Sequence, residues 1–292
     1  MSARLIITAD DFGLHESVND AIALAHEQGV LTAASLMVGA PAAEHAIALA
    51  RRLPGLAVGL HVTLTDGVPV LPARLIPSLT RRDGRFRDDM AGLGLLLALS
   101  REARAELHAE VLAQIERFLA SGLTPDHVNA HKHFHLHPVI AASVMQAAAG
   151  AGIRCLRLPQ EEEGLIGTRR SAGGTIRNGW CRILRRRAAA WGMRAPDRVI
   201  GLAWSGAFTA DRLRSTLARL PPGVTELYFH PATRDDVPGG APGYRYREEL
   251  AALTDPEIRT AVAGCTRGGY RAMLGLAEPP PSPAPGTRAM PH

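Results

Sequence analysis

The architecture follows from LIITADDFG, residues 5–13. Leu5-Ile6-Ile7-Thr8 is a short apolar run rich in β-branched residues, and it reads as a buried strand. Val18, Ile22 and Ala25 then keep helical spacing until Gly29 supplies a C-cap. This is one βα unit, and the rhythm recurs nearly to the end. Strands are expected at 32–38, 56–61, 128–137, 153–158, 199–204 and 224–229. Helices are expected at 42–52, after Pro138 and at 211–220, and a last helix–strand pair at 255–274. A helix that stops at Gly122 presents Leu107, Val111, Ile115 and Phe118 on one face. A longer insertion covers about 65–100. Seven or eight βα units predict a single-domain α/β fold, a distorted (β/α) TIM-like barrel with parallel strands over residues 1–277. An Arg-rich insertion at about 159–197 breaks the rhythm. The Pro-rich tail 278–292 cannot build a core and is expected to be disordered.

The chain has 292 residues, 46% of them hydrophobic, enough for a full core. Its three cysteines, Cys155, Cys181 and Cys265, form no CxxC and no disulfide framework, which suits a reducing compartment. The apolar start of the chain leaves no room for a signal peptide, and no run approaches a membrane span. A cytoplasmic location is expected, with peripheral contact at the inner membrane face left open. The net charge of +5 invites a nucleic-acid reading, but an aromatic content of only 4% leaves few stacking platforms. Nucleic acid is therefore not expected as a partner.

Residues 127–138, HVNAHKHFHLHP, hold five of the twelve histidines. From Asn129 the polar residues alternate through His131, His133, His135 and His137, so an extended strand would project them from one face. The expected strands also end in Asp10-Asp11, His61 and His230. Functional side chains of such barrels gather at the C-terminal strand ends, so one carboxylate and several imidazoles converge on one rim. That is a donor set for Zn²⁺ or another divalent ion with positions left open for water and substrate.

TADDFG at 8–13, GLHVTL at 59–64, HVNAHKHFHLHP at 127–138 and YFHPA at 228–232 resemble the YdjC-like carbohydrate deacetylases, which include chitooligosaccharide deacetylases. The resemblance runs in order from residue 4 to about 275. It implies a hydrolase that uses one divalent ion, Mg²⁺ or Zn²⁺, to remove acetyl from an N-acetylated sugar. Carried over residue by residue, Asp11, His61 and His131 match the metal ligands, Asp10 the general base and His230 the general acid. The order of Asp10 and Asp11 could be reversed, because a sequence does not orient a turn. Many relatives carry Asp where this chain has Asn129, a substrate-side position along with His133 and His135. The last two could instead tune their neighbours. The form of the histidine motif and the Arg-rich insertion look most like the hopanoid-biosynthesis branch, implying an N-acetylglucosaminyl hopanoid glycolipid deacetylated to the glucosaminyl form.

Residues 177–194 place Trp180, Leu184, Ala188 and Trp191 on one helical face with arginines off it, the pattern of an interfacial membrane helix or of an ordinary packed one. His15, His26, His45, His108, His127 and His137 read as surface or capping residues. Tyr244 and Tyr246 are sugar-stacking candidates only. The rivals are a deacetylase of soluble chitooligosaccharides, a metal-dependent phosphoesterase on the same rim, and a basic module binding lipid or nucleic acid without catalysis. Oligomeric state stays open, a homodimer being one option.

Overall fold

The computed structural model describes residues 3–167 and 171–276. The expected disordered tail, 278–292, lies outside the described residues. Among them are seven strands, every pair parallel: β1 (Ala3–Phe12), β2 (Ala33–Leu36), β3 (Ala57–Val62), β4 (Val128–Ala130), β5 (Arg198–Ile200), β6 (Gly223–Phe229) and β7 (Thr266–Arg267). The order is β4-β3-β2-β1-β6-β5, with β7 on the start of β1. β1 is central and buried from Leu5 to Phe12, which is why its sequence is a continuous apolar run rather than an alternating one.

The helices, α1 (Glu16–Glu27), α2 (Ala43–Arg52), α3 (Met90–Leu99), α4 (Arg101–Ala120), α5 (Pro138–Gly150), α6 (Ala172–Ala190), α7 (Ala210–Leu217), α8 (Tyr246–Thr254), α9 (Pro256–Ala261) and α10 (Tyr270–Met273), connect and cover the strands. Their starts have identifiable chemistry. His15 caps α1 by accepting from the Ser17 N–H, as the capping reading of that histidine expected. Ser100 and Ser171 cap α4 and α6, and Pro138 sits where α5 needs no N–H. One apolar core joins sheet and helices, from Leu5, Ile7 and Phe12 to Ile115, Phe118 and Phe229.

The expected distorted barrel takes the form of a curled half-barrel of parallel strands. The segment expected as a strand at 153–158 contributes only isolated bridges, Leu156 with Val128 and Cys155 with Arg194. It spans the gap between β4 and β5 without a regular ladder, and Val199 N–H donates to the Gln160 carbonyl at 3.0 Å.

The histidine segment is corrected too. β4 stops at Ala130, and His131–Leu136 turn as a 3-10 segment in which Lys132 and His133 both have φ of 52°. The five polar side chains therefore do not share one strand face. His127, expected at the surface, is fully buried, paired with Asp126 at 3.0 Å and Ser35 at 3.0 Å, and stacked on Tyr270. Gly59 permits this, since a Cβ there would lie 2.5 Å from the His127 ring. Leu184 and Ala188 of α6 are buried against the fold, so this part of the face packs on protein. Trp180 is half-buried, its indole N–H donating to the Leu136 carbonyl at 2.7 Å; Ile176, Ile183 and Trp191 stay exposed.

Candidate active site

Five of the residues singled out in the sequence line one cavity at the C-terminal ends of the strands: Asp10 and Asp11 at the end of β1, His61 on β3, His131 after β4 and His230 after β6. The sharpest local feature is Asp11, whose φ of 62° is rare for a residue with a side chain. That left-handed step turns Asp11 away from Asp10, so adjacent carboxylates meet different partners. Asp11 Oδ1 lies 3.0 Å from His131 Nδ1 and 3.3 Å from His61 Nε2. One ligand atom from each of Asp11, His61 and His131 fits within 4.8 Å of the others. Asp10 instead receives Arg157 Nη1 on Oδ2 and the Asn129 amide N–H on Oδ1, the latter at 3.2 Å.

The donor chemistry of this cluster suits a divalent cation. His61 Nδ1–H donates to Asn129 Oδ1 at 2.7 Å, which leaves the lone pair of Nε2 facing the Asp11 carboxylate. Fixing one ring nitrogen so that the other can coordinate is the usual support for a metal-binding imidazole. Either a proton or a cation must then lie between Nε2 and Asp11. Burial works against a charged His61, but the Asp10 and Asp11 carboxylates overcome it and raise its pKa.

The electrostatics are strongly unequal. Burial would push Asp10 up, yet the Arg157 guanidinium, with His61, holds it far below the usual carboxylate range. Asp11 is likewise held well below, its burial outweighed by His131 and His61. Burial lowers His230, against the pull of Asp11 and Asp10. The Nδ1 of His230 has no hydrogen-bond partner among the described residues, while its backbone N–H is clamped by Glu249.

His133 lines the cavity and contacts the Tyr228 hydroxyl at 3.1 Å. His135 does not line it; its ring N–H donates to the Arg157 carbonyl at 2.9 Å beneath the site. Asn129 also lies behind the cavity, its amide donating to Ser35 Oγ at 3.0 Å besides its bonds to His61 and Asp10. Tyr244 lines the wall and shares a 2.7 Å hydrogen bond with Ser205, whereas Tyr246 is buried.

Three residues escaped sequence reading. Arg157 is fully buried and bridges Asp10 to Glu226, its Nε donating to Glu226 at 2.9 Å. Glu226 in turn takes the Tyr270 hydroxyl, and the Arg157 guanidinium stands 4.7 Å over the Tyr228 ring. The signal was present: Arg157, the second of two arginines in the run IRCLRLP, and the one glutamate in VTELYF are charges that a core accepts only when paired.

The model of the YdjC-like protein family matches residues 4–264. A carbohydrate deacetylase of Geobacillus stearothermophilus is 35% identical over 266 residues, spanning 90% of this chain and 94% of its own. One of Mus musculus is 33% identical, spanning 89% and 91%. A solved structure from Enterococcus faecalis V583, provisionally described as a cellobiose-phosphate cleavage protein, aligns with a TM-score of 0.72 at 26% identity, covering 93% of this chain and 99% of that one.

Proposed function

Because this chain belongs to the YdjC-like family, we propose that it is a metal-dependent carbohydrate N-deacetylase, which hydrolyses the acetamide of an N-acetylated sugar. The observation that carries the reading is the meeting of Asp11, His61 and His131 beside Asp10 and His230 in one cavity. Asp11, His61 and His131 would hold the ion, Mg²⁺ or Zn²⁺, which when bound supplies a Lewis acid that acidifies water and polarises an acyl oxygen.

The chain's own residues do the rest. Asp10, kept ionised by Arg157, accepts the proton of the attacking water. His230 Nδ1, buried without a partner among the described residues, donates a proton to the departing amine. Burial makes His230 a stronger acid than an ordinary imidazolium, which favours that donation. His133 and Tyr228 hold each other at the wall where the sugar would lie.

Within this activity the substrate we infer is an N-acetylglucosaminyl glycolipid of the hopanoid type, on the sequence resemblance to that branch. A second recess supports an apolar aglycone: Leu14, Met37, Pro41, Thr63 and Val68 line it, beside the residues that follow Asp11 and His61. The cation would be resident and the location cytoplasmic, at the membrane face when the substrate is lipid-linked. Docking through 177–194 would use Ile183 and Trp191, which are exposed. Acetate release measured side by side on the glycolipid and on chitooligosaccharides tests the reading. Release from both is expected, with the higher kcat/KM on the glycolipid; release from chitooligosaccharides alone moves the substrate to soluble sugars; release from neither sinks the deacetylase.

A further inference from the structure

Helix α6 sends one arginine to the catalytic cavity. Arg177 lines it together with Asp10, Asp11, His133, Tyr228 and His230. Its Nε and Nη2 are shut off from solvent and have no hydrogen-bond partner among the described residues. Folding rarely leaves two N–H donors of one guanidinium buried and unpaired, because each has given up water for nothing.

Glu161 acts on Arg177 electrostatically but accepts no hydrogen bond from those donors. Its Oε1 accepts from the N–H groups of Gly201 and Leu202, each at 2.9 Å, and its Oε2 from that of Ala203 at 3.0 Å. Other arginines of the helix have partners. Arg185 donates to the Ala195 carbonyl at 2.9 Å, and Arg187 lies over the Trp180 ring. Arg177 is also held in place by its neighbours. Asn178 donates to the Glu161 carbonyl at 2.8 Å, and Trp180 to Leu136. The helix is pinned on the side of the cavity, with its free donors fixed rather than swinging in water.

We propose that Arg177 is the substrate-specificity residue of this site, its unpaired N–H groups binding an oxygen acceptor of the bound sugar. The identity of the ligand as a sugar rests on the deacetylase reading above; the need for an acceptor does not. A guanidinium serves two kinds of acceptor, the hydroxyl and glycosidic oxygens of a neutral sugar or an oxyanion such as a phosphate substituent. The insertion that interrupts the βα rhythm thereby brings to the cavity a second cation, besides Lys132 after β4, which is paired with Asp66.

The test uses the full chain loaded with Zn²⁺, as wild type, Arg177→Met and Arg177→Lys. The probes are N-acetylglucosamine, N,N′-diacetylchitobiose and N-acetylglucosamine 6-phosphate, with calorimetric Kd and acetate-release kinetics for each. Arg177→Met should raise Kd and KM about 10- to 100-fold, the loss of a charged hydrogen bond, with kcat within about threefold of wild type. Equal losses on all three probes identify a neutral oxygen as the acceptor. A loss confined to the phosphorylated sugar, partly rescued by Arg177→Lys, identifies an oxyanion. Neither variant should lower the thermal midpoint, since no protein partner is lost.

The proposal is overturned by unchanged Kd and KM in Arg177→Met, by a wild type that binds none of the probes, or by a fall in midpoint in both variants. A wild type that binds a probe without releasing acetate sinks the deacetylase reading alone and leaves the comparison of Kd values intact.

Discussion

At the scale of single residues, adjacency in the chain does not mean shared chemistry. Asp10 and Asp11 are neighbours, but the positive φ at Asp11 gives one carboxylate to Arg157 and Asn129 and the other to His61 and His131. They are therefore separable by mutation. Asp10→Asn should keep the metal and slow acetate release by roughly 10²–10⁴-fold, the usual size of a general acid–base contribution; metal analysis beside initial rates checks both halves. Arg157 is the residue that keeps Asp10 charged, and it limits Asp10's basicity in doing so. Arg157→Met would leave the Asp10 and Glu226 carboxylates buried without their countercharge, and should cost about 3–5 kcal/mol in urea unfolding. Glu226 was readable as a lone charge in an apolar strand and Arg157 as one of two arginines in an apolar run, but nothing in either run says which opposite charge it meets.

At the scale of elements, the histidine segment shows how far a period-two pattern can be trusted. Alternation correctly reads Val128, Asn129 and Ala130 as strand, and fails at Lys132, where two residues with φ of 52° start a turn. His133 consequently reaches the cavity while His135 is packed under it. Burial lowers the pKa of His135 to about 4 from the ordinary 6.5. The unfolded chain then binds a proton that the folded chain refuses, so stability falls as pH drops from 6.5 to about 4. Over that window wild type should lose about 3 kcal/mol more than His135→Gln does, read from urea midpoints at several pH values. One strand over, β3 accepts His127 only because Gly59 has no side chain. Gly59→Ala should cost about 1–3 kcal/mol from overpacking, measured by thermal or urea unfolding.

At the scale of the whole molecule, the site exists because parallel strands end together. β1, β3, β4 and β6 lie in one sheet, and their C-terminal ends bring residues as distant as Asp11 and His230 to one cavity. A ligand held by three such elements couples binding to folding. A divalent ion at 100 times its Kd should stabilise the chain by about 2.7 kcal/mol. A chelator should reverse that gain, and His61→Ala should respond to neither; differential scanning fluorimetry with Zn²⁺, Mg²⁺ and EDTA measures it. The barrel expectation is met in part at this same scale. Residues 153–160 are apolar enough for a strand, but they carry Arg157 toward Asp10 and Glu226 and form only scattered bridges, so the regular sheet stays open.

By itself the sequence determined the βα order, the buried strands and the identity of the groups at their ends, because periodicity and burial are local properties of a chain. The tertiary structure alone decided which Asp faces the histidines, that Arg157 stands behind Asp10, that the sheet stays open, and that Arg177 enters the cavity. Those outcomes depend on backbone dihedrals and on charges brought together across more than a hundred residues, and no spacing within a single segment encodes them.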